Sequence, residues 1–181
     1  MRVLNFGSIN IDYVYSVDEF VKPGETKAAR SLSVFAGGKG LNQSLAMAKA
    51  GLKVVHAGKI GKEGEFLVKT LKDGGVDTRL IEISDVPTGH AIIQVDDRGR
   101  NCILLFGGAN QDIGEAYIDR VLVGFGHGEM LILQNEISSM SSIIAKAKTK
   151  GMTIVFNPSP YSSLVPNYPL ELVDVFIMNE I

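Results

Sequence analysis

Cysteine, histidine and charge of either sign in excess are all scarce in this sequence. Its 181 residues include one cysteine, Cys102, so no internal disulfide framework can form, and a reducing cytoplasm is the expected location. The histidines, His56, His90 and His127, stand far apart with no Cys or His partner at metal-ligand spacing, which argues against a zinc site. Eighteen Lys and Arg against twenty Asp and Glu leave a formal charge of −2, and the cations are not interleaved with aromatic residues. Nucleic acid is therefore not an expected partner. No apolar run approaches membrane-spanning length, and the run in the N-terminal MRVLNFGSIN is too short for a signal peptide, so no membrane partner is expected.

What is present suits a globular chain whose partner is a small molecule. Hydrophobic residues make up 45% of the sequence, enough to bury a sizeable core. Short apolar runs at Val3–Phe6, Val54–Ala57, Met130–Leu133, Thr153–Phe156 and Val175–Met178 read as buried strands. Helical spacing connects Leu41, Leu45, Ala48 and Leu52, then Phe66, Leu67, Thr70 and Leu71, then Ile118, Val121 and Leu122. A fourth helix carries Ile143, Ile144 and Ala147, with Ser138 as its expected cap. Strands alternating with helices predict a mostly parallel sheet covered on both faces. A different rhythm, strict alternation, runs through 11–17, 31–35, 91–95 and 102–106. These segments predict a small half-exposed sheet, a lid built from about 11–35 and 90–106, which needs a cover on the face bearing Tyr13, Tyr15 and Ile93 or on its reverse.

The segment VFAGGKGLNQSLAMAKAG, residues 34–51, has the look of a phosphate loop leading into a helix. It lacks the first glycine and the hydroxyl of a P-loop, since Ser33 and Gly40 occupy those positions, and Gln43 breaks the dinucleotide pattern. Gly37, Gly38 and Gly40 would let helix-start N–H groups come close to a ligand, while Lys39 sits at the unfavourable end of the helix dipole. A glycine turn beside a solvated lysine is the plain alternative. Three glycines around a misplaced lysine, with Asn42 one turn inside, point to a polar ligand.

Asn10 and Asp12 lie just past the first strand, and Glu136 and Asn157 each follow another apolar run. In open α/β sheets ligands collect beyond the carboxyl ends of the strands, so these four polar residues are expected at one sheet edge. A carboxylate that accepts hydrogen bonds, beside amides that donate and accept, is equipment for gripping a polyol.

The motifs GSINID at 7–12, PGET at 23–26, GGKGLNQS at 37–44, GGAN at 107–110, NPSP at 157–160 and MNE at 178–180 together resemble the ribokinase branch of the PfkB carbohydrate-kinase family along the whole chain. The resemblance implies a ribokinase-like α/β fold with a β-sheet lid that serves as a homodimer clasp. It implies sugar ligands at Asn10, Asp12, Gly38, Lys39, Asn42 and Glu136, with Asn179 near magnesium and the phosphates. The implied activity is transfer of the ATP γ-phosphate to a primary sugar hydroxyl, with Mg²⁺ and a monovalent cation in the complete enzyme. Ribose is the first choice of acceptor, with fructose, nucleosides and sugar phosphates as alternatives. The family's later G-A-G-D motif, which supplies the catalytic base and anion hole, is absent from these residues, as is the glutamate of N-x-x-E. The resemblance therefore places the expected base beyond Ile181, the last residue of the sequence. The chain is accordingly expected to carry the N-terminal, sugar-binding portion of the fold, to lack a catalytic residue of its own and to be inactive alone. A non-catalytic sugar-binding or dimerisation module is the competing reading.

Overall fold

The computed structural model describes residues 2–178. Among these, one sheet is built from β1 (Arg2–Phe6), β4 (Lys53–Ile60), β5 (Asp77–Ile83), β8 (Met130–Gln134), β9 (Thr153–Asn157) and β10 (Val175–Phe176), in the order β10-β9-β8-β1-β4-β5. Every pairing in it is parallel. Parallel strands need crossovers, and helices α1 (Lys39–Lys49), α2 (Glu65–Asp73), α3 (Glu115–Leu122) and α4 (Met140–Thr149) lie between strands in the chain. Alternation along β1 sends Leu4 and Phe6 into a core with Ile118 and Leu122 of α3 and Ile143 and Ile144 of α4. On the reverse face Val54 and Ile60 of β4 join Leu41 of α1 and Leu67 and Leu71 of α2. The doubly covered α/β body is the architecture expected from the sequence.

Two of the expected elements differ. The run Val175–Met178 has the composition of a buried strand, yet only Val175 and Phe176 pair, and both are exposed at the outer edge of the sheet. Ser138 does not cap α4: Ser139 takes the N-cap position with φ 61° and no side-chain cap, while Ser138 Oγ accepts the Ile113 N–H. Strand β5 is not legible in the sequence because Asp77, Arg79 and Glu82 interrupt its apolar pattern, as suits an edge strand.

The second sheet is the expected lid. Strands β2 (Asn10–Ser16), β3 (Ser31–Gly37), β6 (Gly89–Val95) and β7 (Asn101–Phe106) pair in the order β3-β2-β6-β7. Residues directly opposite in a ladder share a face. Asp12 pairs with Phe35 and Ala91, and Val14 with Ile93, whereas Tyr13 pairs with Val34 and Ile92. Ile93 therefore lies on the reverse face from Tyr13 and Tyr15, which corrects the grouping drawn from alternation alone. Tyr13 packs toward the α1 and α2 core, and the segment before β3 crosses near Tyr15, where the Val21 N–H donates to Gln94 Oε1 at 3.1 Å. Both faces keep exposed apolar side chains among the described residues: Phe35 and Ile103 are 54% exposed on the Asp12 face, and Leu104 is 69% exposed on the Tyr13 face.

Candidate functional site

Strand β1 ends at Phe6, and Gly7, Ser8 and Ile9 turn the chain out of the body into the lid. Helix α1 starts against that turn. A Cβ on Gly40 would fall 2.5 Å from the Ser8 backbone nitrogen, so only glycine lets the two segments touch. Gly38, at φ 94°, adopts a conformation that side chains disfavour. The contact is held by hydrogen bonds from Leu41 N–H to Ser8 O at 2.9 Å and from Gly40 N–H to Ser8 Oγ at 3.1 Å.

Glu136, just beyond β8, completes the junction. Its Oε2 accepts the Ser8 hydroxyl and the Lys39 N–H, and its Oε1 accepts the Lys39 ammonium at 2.8 Å. A carboxylate thus sits at the positive end of the α1 dipole and neutralises the lysine that the sequence left misplaced. The N–H groups of Lys39, Gly40 and Leu41 are consequently all engaged within the protein. The expectation that they stand free for a ligand does not hold; the glycines provide close packing instead. Lys39 spends one of its ammonium donors on Glu136 and keeps the others.

Asn10 and Asp12 lie on β2, at the start of the lid where it leaves the body, and both point to the same face. Asp12 accepts no hydrogen bond from any described residue, and its neighbour Gly37 has no side chain because a Cβ there would fall 2.2 Å from Asp12 Oδ2. Burial, then the Glu136 charge, raise the Asp12 carboxyl above its ordinary value, and the Lys39 charge partly opposes them. The Asn10 side-chain oxygen accepts a bond from Asn110, while its NH₂ has no partner among the described residues. Asn42 stands exposed one turn into α1, its N–H bonded to Gly38 O.

A cleft of about 240 Å³ opens beside Asn10, lined in part by Asn10, Asn110, Gln111, Asn135 and Glu136, while Asp12, Lys39 and Asn42 lie outside its walls. Asn157 is not among its walls: its Oδ1 accepts the Ser159 N–H and shapes the turn after β9. Three of the wall residues, Asn110, Gln111 and Asn135, are not identified by sequence reasoning as site residues, although Asn110 ends the GGAN motif. Ser8 escapes it as well, because a serine in a turn carries no distinguishing pattern until its partners are known.

With this geometry in place, the sequence profile described as pfkB family carbohydrate kinase matches residues 2–180. The chain belongs to the pfkB family of carbohydrate kinases. This pfkB-family chain is 32% identical to a ribokinase of Staphylococcus aureus over 185 residues, covering 99% of itself and 60% of that protein. Among solved structures it resembles a Cryptococcus neoformans ribokinase in complex with ADP, at 36% identity and a TM-score of 0.82, covering 99% of this chain and 56% of that one. An Arabidopsis thaliana ribokinase complexed with ribose and ATP also matches at a TM-score of 0.82, with 28% identity over 99% of this chain and 60% of that one. The chain thus spans about 60% of the length of the first of these relatives.

The pfkB-family residues described here do not fit a nucleotide cradle at the glycine turn, because the start of α1 already bonds Ser8 and Glu136. Among the described residues no three His, Cys, Asp or Glu side chains cluster as metal ligands. Asn179, which the resemblance implicates at the phosphates, lies outside the described residues. So does Ile181, beyond which the resemblance places the catalytic base, and the described residues end at Met178.

Proposed function

We propose that this protein is a ribokinase-like sugar kinase and that residues 1–181 carry its sugar-binding portion and lid. One observation carries this reading: Asn10 and Asp12, on one face of one strand, present a donor and an acceptor that no described residue satisfies. Asn10 is buried and Asp12 half-buried, and a sugar hydroxyl, which both accepts and donates, would complete such a pair. Side chains two residues apart on a strand stand about 7 Å apart along it, a span that different hydroxyls of one sugar can bridge.

In this reading Asp12 accepts a hydroxyl proton, Asn10 donates to a sugar oxygen, and Lys39 and Asn42 contribute at the start of α1. Glu136 holds Lys39 and the helix start in place. The lid would exclude water, which otherwise competes as phosphoryl acceptor. The phosphoryl donor proposed is ATP, since relatives have been solved with ADP and with ribose and ATP. Mg²⁺ and a monovalent cation belong to the same proposal, as does a homodimer formed through the Asp12 face of the lid. No step of the transfer is assigned to a described residue, because none is placed as its base; that role is proposed for a residue beyond Ile181. Residues 1–181 alone are accordingly expected to bind sugar without transferring phosphate.

Calorimetric titration of the chain with ribose, 2-deoxyribose and fructose tests the reading, with Asp12→Asn as the control. Ribose heat that vanishes in the control supports it. Equal affinity of the native chain and the control would remove Asp12 from the site and the sugar reading with it.

A further inference from the structure

Asn110 belongs to the short 3₁₀ turn Gly108–Gln111 after the last lid strand, and it is 1% exposed. Its amide faces the backbone of Ile9. The Ile9 N–H donates to Asn110 Oδ1 at 3.0 Å, and Asn110 Nδ2 donates to Ile9 O at 3.3 Å and to Asn10 Oδ1 at 2.7 Å. These bonds decide which way both amides point. A backbone N–H can only donate, so the atom of Asn110 facing it must be oxygen. The NH₂ of Asn110 then faces Asn10, whose nearest atom must in turn be oxygen. Reversing either amide would set donor against donor or acceptor against acceptor in a buried place. Two further features hold the arrangement. The Ser138 N–H donates to Asn110 O at 3.0 Å, tying the turn to the chain beyond β8. Gly89, opposite Asn10 in the lid, leaves the space both amides need, since a Cβ there would fall 2.2 Å from Asn110 Nδ2 and 2.4 Å from Asn10 Oδ1.

We propose that Asn110 is a positioning residue for the sugar site: it fixes the Asn10 amide so that Asn10 can act toward the cleft only as a hydrogen-bond donor. The ligand atom it meets must be an acceptor, while Asp12, the carboxylate left unpaired on the same strand face, accepts the proton of a different hydroxyl of the ligand. Asn110 thereby gives Asn10 and Asp12 opposite roles, a donor and an acceptor, and selects a ligand carrying hydroxyl groups over one that offers donors alone. This inference rests on the sugar-kinase reading for the identity of the ligand but not for the orientation of the amides.

The test has two arms. Ribose affinity is measured in the native chain, Asn110→Ala, Asn10→Ala and the double variant. If Asn110 acts through Asn10, its substitution weakens binding about tenfold in the native background, as expected for one hydrogen bond, and less than about twofold once Asn10 is alanine. A merely structural role would cost the same factor in both backgrounds, and that additivity overturns the proposal. Should Asn110→Ala fail to fold, Asn110→Asp keeps the shape and the acceptor for Ile9 but removes the donor; at about pH 8, where a carboxylate is ionised, it is expected to show the same loss. The second arm needs no sugar. A through-hydrogen-bond NMR coupling from Asn110 Nδ2 to Asn10 Cγ is expected in the native chain, and a coupling in the opposite sense, from Asn10 Nδ2 to Asn110 Cγ, refutes the assignment. If the native chain binds no ribose, the sugar reading falls while this coupling still decides the orientation that Asn110 imposes on the Asn10 amide.

Discussion

Glu136 grips Lys39 twice, accepting its ammonium at 2.8 Å on one carboxylate oxygen and its backbone N–H at 3.0 Å on the other. The pair joins the end of β8 to the start of α1 across 97 residues of sequence. Its two members are unequally buried: the Glu136 side chain is 7% exposed and that of Lys39 is 40% exposed. Removing the lysine leaves Glu136 bonded to Ser8 and the helix start, and the charge pair itself is solvent-screened. Removing the carboxylate strands the Ser8 hydroxyl, an N–H and an ammonium together. We expect Lys39→Met to cost under about 1 kcal/mol and Glu136→Leu about 2–4 kcal/mol. Urea denaturation of both variants checks the order, and the reverse order would show that the ion pair rather than the junction stabilises the fold.

Asp12 should trade stability against binding. Its carboxyl is raised above 3.8 by burial and by Glu136, so the folded state holds the proton more tightly than the unfolded chain does. The sign follows: this group favours folding most below 3.8, and that contribution is lost as pH rises through the window above 3.8. At neutral pH Asp12→Asn removes a buried charge, and the variant is expected to be at least as stable as the native chain while binding ribose about tenfold to a hundredfold more weakly. A variant that loses stability at neutral pH would mean that Asp12 has a structural partner.

His56 predicts a separate pH dependence. It is wholly buried; Ser44 Oγ lies 2.8 Å from its Nδ1, and Gly7 O lies 3.2 Å from its Nε2. Asn5 Nδ2 also donates to Ser44 Oγ, which leaves the serine hydroxyl to donate to the imidazole and the Nε2–H to donate to Gly7. Burial pushes the ring down from 6.5 to about 4. A depressed folded value means that stability is intact above 6.5 and falls as pH drops from there toward 4, by about 3 kcal/mol in total if no other group compensates. Denaturant midpoints at a series of pH values should lose this part of their slope in His56→Gln. An unchanged slope would place a proton on His56 in the folded state.

Gly37 is expected to matter through Asp12 rather than through its own backbone. An added Cβ would meet the carboxylate at 2.2 Å, whereas one on Gly114 would meet nothing within 4 Å. Gly37→Ala should therefore lower ribose affinity about tenfold or more, with Gly114→Ala near native. Equal effects of the two substitutions in the same titration would show that the Asp12 carboxylate moves aside freely.

The Asp12 face of the lid leaves Phe35 and Ile103 54% exposed and Leu105 46% exposed. If two copies pack through this face, Ile103→Lys should shift the chain toward monomer in light scattering, since a charge would have to be buried. A native chain that is monomeric at every concentration removes the clasp.

The layers of this protein are legible in its sequence. Apolar runs at Val3–Phe6 and Met130–Leu133 and helical stripes such as Leu67 and Leu71 encode burial locally, and alternation in 11–17 and 91–95 separates the lid from the body. The sequence also marked Asn10, Asp12 and Glu136, because polar residues after apolar runs fall at one end of a parallel sheet, and Lys39, because it stands among glycines at the unfavourable end of a helix dipole. The partners of these residues were decided by the tertiary structure alone. Nothing near Lys39 in the chain announces that Glu136 will occupy its helix N-terminus, nor does the alternation of Ile93 reveal which lid face it shares, because register depends on pairing with β2. The Asn5, Ser44 and His56 network and the Asn110 to Asn10 bond are likewise invisible locally. Hydrophobic burial is legible because it repeats along the chain with the period of its own helix or strand. A hydrogen bond between residues 10 and 110 has no period, and only the fold that brings the two amides to 2.7 Å can specify it.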